Sequence, residues 1–328
     1  MRAVVIQPDR SLAVEQLEQP EPGPGEVRVR VEACGICGSD LHMRPSEIIE
    51  AGQVMGHEFA GAIDAIGDGV EGFSEGDRIC VYPFKPTQAH DLESAMNSGI
   101  GMGGLRQGGY AEAVCVPTEM IWPLPDGMEL EHGALVEPLA VAVHSLNRGA
   151  VGPGDRCVVL GAGPIGVMHA LALRARGVDH IVVVEPNAVR REAVAVMGFD
   201  ALGPEGVHEA AVGSLGGLPD VILECAGHPS AAPLAIELVA PSGRVVLAGM
   251  LEEPVAISQL LVMLKEVTLI GSFAYLPGAF DEALALIASG ELPVDQIVTA
   301  REPLERAEEL FGELLRPDTE HLKVLLRP

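Results

Sequence analysis

Lysine is nearly absent from this chain. Of 21 basic residues only Lys85, Lys265 and Lys323 are lysines, and they lie far apart. There is no basic cluster, and the formal net charge at pH 7 is −26. A field of that sign repels nucleic acid and anionic membranes, so neither is expected as a partner. The charge itself reads as a solvated surface. No run of eighteen apolar residues occurs, although 48% of the residues are apolar, so no membrane span is expected. Met1–Ile6 reads as a short strand without the layout of a signal peptide, which makes the cytoplasm the expected compartment. Six cysteines, at 34, 37, 80, 115, 157 and 225, do not form a disulfide framework in a chain of 328 residues. Cys34 and Cys37 make a C-x-x-C, but no second such pair follows, which excludes a four-cysteine zinc ribbon. Internal repeats are also lacking.

What is present falls into two rhythms, and the length suits two domains. Up to about Pro125, short strands are broken by Gly and Pro: Glu26–Ala33 alternates as V-R-V-R-V, and Phe59–Ile66 and Tyr110–Val116 read as further strands. This spacing predicts a compact β-rich domain. From about Gly152 the pattern becomes strand, helix, strand. Strands are expected at Arg156–Leu160, His180–Glu185, Asp220–Glu224, Gly243–Leu247 and Val267–Ser272. Helices are expected at Pro164–Arg176, from an Asn187 cap to about Met197, and at Ser230–Val239. Near-continuous apolar strands alternating with helices predict a parallel sheet covered on both faces. A helix at Ala279–Ser289 and a strand near His321–Leu326 end the chain, and the Gly- and Met-rich Asn97–Gly109 reads as a mobile loop.

The first strand of the second half runs into Gly161-Ala162-Gly163-Pro164-Ile165-Gly166, a G-x-G-x-x-G between strand and helix. The first glycine permits the tight turn, the second lets a pyrophosphate approach the backbone, and the third allows close helix–strand packing. Free N–H groups at the helix start then face the phosphates. Glu185 follows Gly166 by nineteen residues at the end of the second strand. A carboxylate there binds ribose hydroxyls and repels a 2′-phosphate, which favours NAD over NADP. Arg190, able to reach a phosphate, pulls the other way. A flavin is the other ligand the motif could hold.

Three residues of metal-binding type stand out: Cys37 in Gly35–His42 (G-I-C-G-S-D-L-H), His57 in G-H-E, and Glu137 in V-E-P-L. A thiolate, an imidazole and a carboxylate form a reasonable zinc set with one position left open. Their spacing alone does not single them out, because Cys37 and His57 are twenty residues apart and Glu137 eighty further on. Taken singly, each reads better as a buried cysteine, a satisfied core histidine or a surface carboxylate than as a ligand.

In order along the chain stand G-I-C-G-S-D-L-H, G-H-E, V-E-P-L-A-V-A-V-H and G-A-G-P-I-G. With these four motifs the sequence resembles the zinc-dependent medium-chain dehydrogenase family, most closely its sorbitol and threonine dehydrogenase branch. The resemblance covers nearly the whole chain. It implies an α/β protein in which a β-rich GroES-like catalytic domain, residues 1–147 and 275–328, accompanies a doubly wound Rossmann domain that binds NAD, residues 148–274. It implies further that Cys37 and His57 bind a catalytic zinc. Glu58 would bind it directly or stand by as an exchanging ligand, Glu137 would complete the set directly or through water, and Asp40 would hydrogen-bond His57 and fix its tautomer. Ser39 matches the hydroxyl that contacts the substrate oxygen, and His42 matches a relay base near the surface. With zinc as Lewis acid, the expected activity is hydride transfer between a secondary alcohol and NAD.

Two departures from the family matter. The stretch Tyr82–Gln107, where many members carry four cysteines and a structural zinc, has none, so one zinc per subunit is expected. The polyol branch has Arg before a Tyr after the last sheet strand; here the pair is Ala274-Tyr275, which weakens the case for a sorbitol-like substrate. The resemblance places the substrate cleft at the domain interface, and Tyr275, Met102 and Trp122 are candidates to line it, with plain packing favoured for Trp122. Family members are dimers or tetramers, so a homo-oligomer is expected. Two other readings stay open: a zinc-free NADPH-dependent quinone or enone reductase of the same superfamily, and a non-catalytic dinucleotide-binding protein.

Overall fold

The computed structural model describes residues 1–46, 49–86, 98–102 and 106–328. Asn97–Gly109 and Tyr82–Gln107, the stretches read as a loop and as a cysteine-free lobe, lie partly outside these residues. The chain forms two compact units, Met1–Glu137 with Leu276–Pro328, and Pro138–Tyr275.

The first unit is built on β-strands. β1 (Arg2–Ile6) and β2 (Leu12–Gln16) form an antiparallel hairpin. β3 (Glu26–Gly35), β4 (Glu58–Ile66), β5 (Arg78–Val81), β6 (Ala113–Pro117) and β7 (Ile121–Pro123) join β14 (Val298–Pro303) and β15 (Lys323–Arg327) in a seven-stranded sheet. Alternation in β3 does what the sequence suggests: Val27, Val29 and Val31 are buried while Arg28 and Arg30 point outward, Arg28 to Asp64 at 2.8 Å. Each fully buried valine adds roughly 1.5–3 kcal/mol of transfer free energy. At its far end β3 is pinched from both sides, with Gly35 paired to Glu58 of β4 and to Leu325 of β15. Three segments remote in sequence thus meet where β3 ends, just before Cys37. The short helix α1 (Gly38–Met43) follows at once.

The second unit carries six parallel strands: β8 (Arg156–Leu160), β9 (His180–Val184), β10 (Asp200–Leu202), β11 (Val221–Glu224), β12 (Arg244–Leu247) and β13 (Thr268–Gly271). Their order is β10-β9-β8-β11-β12-β13, so succession reverses between β8 and β11. That is the doubly wound arrangement, with its ligand crevice at the point of reversal. The expected helices are present as α3 (Pro164–Ala175), α4 (Ala188–Val196) and α6 (Ala231–Leu238), and α5 (Val207–Leu215) and α7 (Gln259–Lys265) complete the connections. Pro164 opens α3, where its missing N–H costs nothing. Asn187 caps α4 by accepting from Val189 N and Arg190 N at 2.9 and 3.1 Å. In the first unit, α8 (Pro277–Ala288) and α9 (Ala307–Leu314) follow after β13.

The compact units part at Glu137/Pro138 and Tyr275/Leu276. The reason is α2 (Val136–Arg148). Its residues Leu139, Ala140, Ala142, Val143 and Leu146 are fully buried, and Ser145 Oγ lies 2.9 Å from Ser272 Oγ, just past β13. Packing thus assigns most of the helix to the second unit, while Glu137 in its first turn stays with the first.

Candidate functional site

Cys37 Sγ, a ring nitrogen of His57 and a carboxylate oxygen of Glu58 all lie within 4.8 Å of one another. β3 delivers Cys37 to the start of α1, and β4 begins with Glu58 immediately after His57. The contact needs glycine at 35, because a Cβ there would sit 2.1 Å from Glu58 Oε2. Asp40, fully buried in α1, accepts from Cys37 N at 3.1 Å and from Tyr110 Oη at 2.5 Å through one oxygen, Oδ2. Its other oxygen faces His57 Nδ1 at 3.4 Å, so that Nε2 is the ring nitrogen a metal could take. This is the orientation that a carboxylate behind a metal-binding histidine imposes. Burial pulls His57 toward neutrality, but the charges of Asp40 and Cys37 outweigh it and raise its pKa well above the ordinary value. The group attracts a cation, and thiolate, imidazole and carboxylate donors suit zinc.

Lys323 is the residue that sequence reasoning missed. It is 1% exposed on β15, and its Nζ donates to Glu58 Oε1 and Oε2 at 2.8 and 2.7 Å and to Ile36 O at 3.0 Å. Burial lowers its pKa, but Glu58 and Cys37 reverse that and hold it charged. The one available signal was its isolation as a lysine within the apolar C-terminal strand K-V-L-L. Glu137 is 6% exposed and close enough to Tyr82 and Lys323 to raise both of their pKa values, yet it does not belong to the 4.8 Å group.

Ser39 and His42 lie three residues apart on one face of α1. Ser39 Oγ is buried and has no hydrogen-bond partner among the described residues, whereas His42 is exposed. Trp122 packs instead of standing free: it stacks on Tyr82 at 5.2 Å, meets Phe280 edge-on and donates Nε1–H to Asp281 at 2.7 Å. Met102 and Tyr275 are buried. A second ligand-type group, Glu131, His132 and Asp295, is neutralised by Arg301 and Arg327, and their hydrogen bonds, Arg301 first, hold Glu131 at about 2.

In the second unit the G-x-G-x-x-G turn sits between β8 and α3. Gly161 has φ +97°, and a Cβ at Gly166 would lie 1.9 Å from Gly161 O. A Cβ at Gly163 would meet nothing within 4 Å, so this position opens onto space that a ligand can fill. Pro164 and Ile165 follow half-buried. Glu185 is 5% exposed and spans the turn, accepting from Ala162 N at 2.6 Å and Asn187 N at 2.8 Å. Arg190 is half-buried, and burial lowers its pKa against the pull of Glu185.

Residues 23–126 match the alcohol dehydrogenase GroES-like domain, and residues 164–289 match the zinc-binding dehydrogenase model. Over its whole length the chain is 33% identical to the whole of (R,R)-butanediol dehydrogenase from Bacillus subtilis (strain 168). It is 30% identical to sorbitol dehydrogenase from Bombyx mori over 94% of this chain and 93% of that one. The crystal structure of 2R,3R-butanediol dehydrogenase from Bacillus subtilis superposes with a TM-score of 0.91 at 32% identity, covering 100% of this chain and 99% of that one. The chain belongs to the medium-chain alcohol dehydrogenase family, with a GroES-like domain and a Rossmann domain, and is an alcohol or polyol oxidoreductase.

Proposed function

We propose that the protein is a cytoplasmic, homo-oligomeric dehydrogenase that oxidises a secondary alcohol with NAD, using a single zinc held by Cys37, His57 and a carboxylate. The observation that carries this reading is the convergence of Cys37 and His57, with the Glu58 carboxylate beside them, within 4.8 Å. Of the two candidate carboxylates we favour Glu137 as the third ligand, because both oxygens of Glu58 are already engaged by Lys323. Zinc held there would supply a Lewis acid that lowers the pKa of the substrate hydroxyl. Asp40 fixes the ring of His57, and Tyr110 fixes Asp40. Ser39 Oγ, buried and with no partner among the described residues, would accept the substrate's hydroxyl proton while releasing its own toward solvent, and His42, near the other end of α1 and exposed, would take up that released proton as the surface base.

Residues 1–137 with 276–328 form the catalytic domain in this reading, and 138–275 the domain that binds NAD at Gly161, Gly163, Pro164, Ile165 and Gly166. Glu185 at the ribose position favours NAD over NADP. Among substrate classes, a diol, a polyol or a hydroxy-amino acid, the relatedness to butanediol dehydrogenase and the Ala274-Tyr275 pair favour a vicinal diol. Self-association is supported by the apolar edge of the second unit. β13 ends the sheet, and Leu260, Met263, Leu264, Leu269 and Phe273 are exposed on or beside it. Such a patch on a chain of charge −26 suits burial against a second copy.

Elemental analysis of protein that reduces NAD with a panel of diols and polyols tests the proposal. One zinc per subunit with activity is expected, and full activity without zinc would move the chain to the zinc-free reductases.

A further inference from the structure

We infer that Glu224 is a positioning residue for the dinucleotide, fixing the loops after β11 and β12 before the cofactor arrives. The inference rests on the reading that the Gly161–Gly166 turn holds a dinucleotide. Glu224 is the last residue of β11, next to β8 across the point where strand order reverses. It is 5% exposed, and among the described residues no arginine or lysine pairs with it. A buried carboxylate without a cation needs hydrogen bonds, and a strand end has no structural use for one.

Glu224 engages two loops. Oε1 accepts from Ala226 N and Gly227 N, both at 2.8 Å, while Gly249, which follows β12, donates its N–H to the main-chain O of Glu224 at 2.8 Å. Burial raises its carboxyl pKa, and neighbouring backbone N–H groups, that of Gly227 first, hold it down in part. The loops it gathers touch. A Cβ at Gly249 would lie 2.3 Å from Gly227 N and 2.8 Å from Glu224 Oε2, and one at Gly227 would lie 2.3 Å from Met250 O. On the other side, a Cβ at Gly161 would lie 3.0 Å from Ala226 Cα. The turns after β8, β11 and β12 therefore form one closely drawn wall at the crevice, with a carboxylate as its tie. Removing that tie loosens the wall without touching Cys37, His57 or Ser39.

Alanine at 224 removes the acceptor altogether. Glu224→Ala is expected to raise the Kd for NADH, read by its fluorescence, about tenfold. The KM for NAD should rise in proportion, while kcat at saturating NAD stays within twofold and zinc content is unchanged. A Kd within twofold of the wild type, or a fall in kcat with KM unmoved, overturns the inference. Hydrogen exchange on the wild-type protein tests it independently of any variant's folding. The amides of Ala226 and Gly227, held by the carboxylate, should exchange slowly without cofactor. Exchange at open-loop rates that slows only when NADH is added would mean the wall is not preset. Wild-type protein that binds neither NADH nor NADPH would instead sink the dinucleotide reading.

Discussion

The two units concentrate their chemistry in opposite ways. In the second, the candidate cofactor turn is one contiguous hexapeptide, and the strand and helix around it fix its shape. In the first, the candidate metal group is assembled from the ends of β3, β4 and β15, whose key residues Cys37, His57 with Glu58, and Lys323 span 287 positions. A contiguous site owes its geometry to local backbone; a convergent one owes it to side chains that neutralise each other inside a core. Substitutions should therefore cost more, and spread further, in the first unit.

The largest effect is expected at Cys37. Cys37→Ser replaces a thiolate with a far weaker zinc ligand, and turnover should fall at least about a thousandfold. NADH affinity should be untouched, since the cofactor turn is built without Cys37. Coupled loss of both, measured by titration of the variant, would break the contrast between the units.

Next comes Lys323. Lys323→Met strands the Glu58 carboxylate in a site that is 0% exposed. Breaking one side of a buried pair costs about 3–5 kcal/mol, to be read as a shift of the urea midpoint in zinc-free protein. Adding Glu58→Gln should recover most of the loss. A shift below about 1 kcal/mol would show that the pair does not hold β15 to the site.

A quieter liability lies in the second unit. His169, on α3, is fully buried, with Nδ1 2.7 Å from Ile165 O and Nε2 without a partner. Burial lowers its pKa to about 4, whereas the unfolded chain protonates near the ordinary 6.5. Between those values the unfolded state binds the extra proton, so stability is complete above pH 6.5 and falls as pH drops toward 4. The loss amounts to roughly 3 kcal/mol. His169→Leu should flatten that part of the stability–pH profile. An unchanged slope would place the acid sensitivity elsewhere.

The same contrast explains what the sequence made legible. Every strand of the parallel sheet except short β10 could be read from apolar runs, because local pattern and burial coincide there. Asn187 could be read as a cap because its acceptor serves amides two and three residues on. Lys323 could not be assigned, since its partner is 265 positions away and nothing near it in sequence announces a carboxylate. The apolar face of α2 packs into the second unit, which no local pattern in the sequence announces. Glu224 was legible only as the end of a strand, because its role is defined by backbone amides on two loops.

Glu185 gives the smallest effect and the sharpest test of how local the second site is. Its carboxylate already accepts from Ala162 N inside the turn and from Asn187 N at the cap of α4, so in the ligand-free protein it organises the loop as well as presenting charge. Glu185→Ala should therefore act twice. Loss of the hydrogen bonds weakens both NAD and NADP, while loss of the negative charge relieves repulsion of a 2′-phosphate and so offsets the weakening for NADP alone. The expected outcome is an NAD Kd raised about tenfold, or roughly 1.4 kcal/mol, with NADP nearly unchanged, so that the preference narrows by about the same factor. Equal weakening of the two, measured by fluorescence titration with both reduced cofactors, would mean that Glu185 serves only to shape the turn and that discrimination resides in another residue such as Arg190.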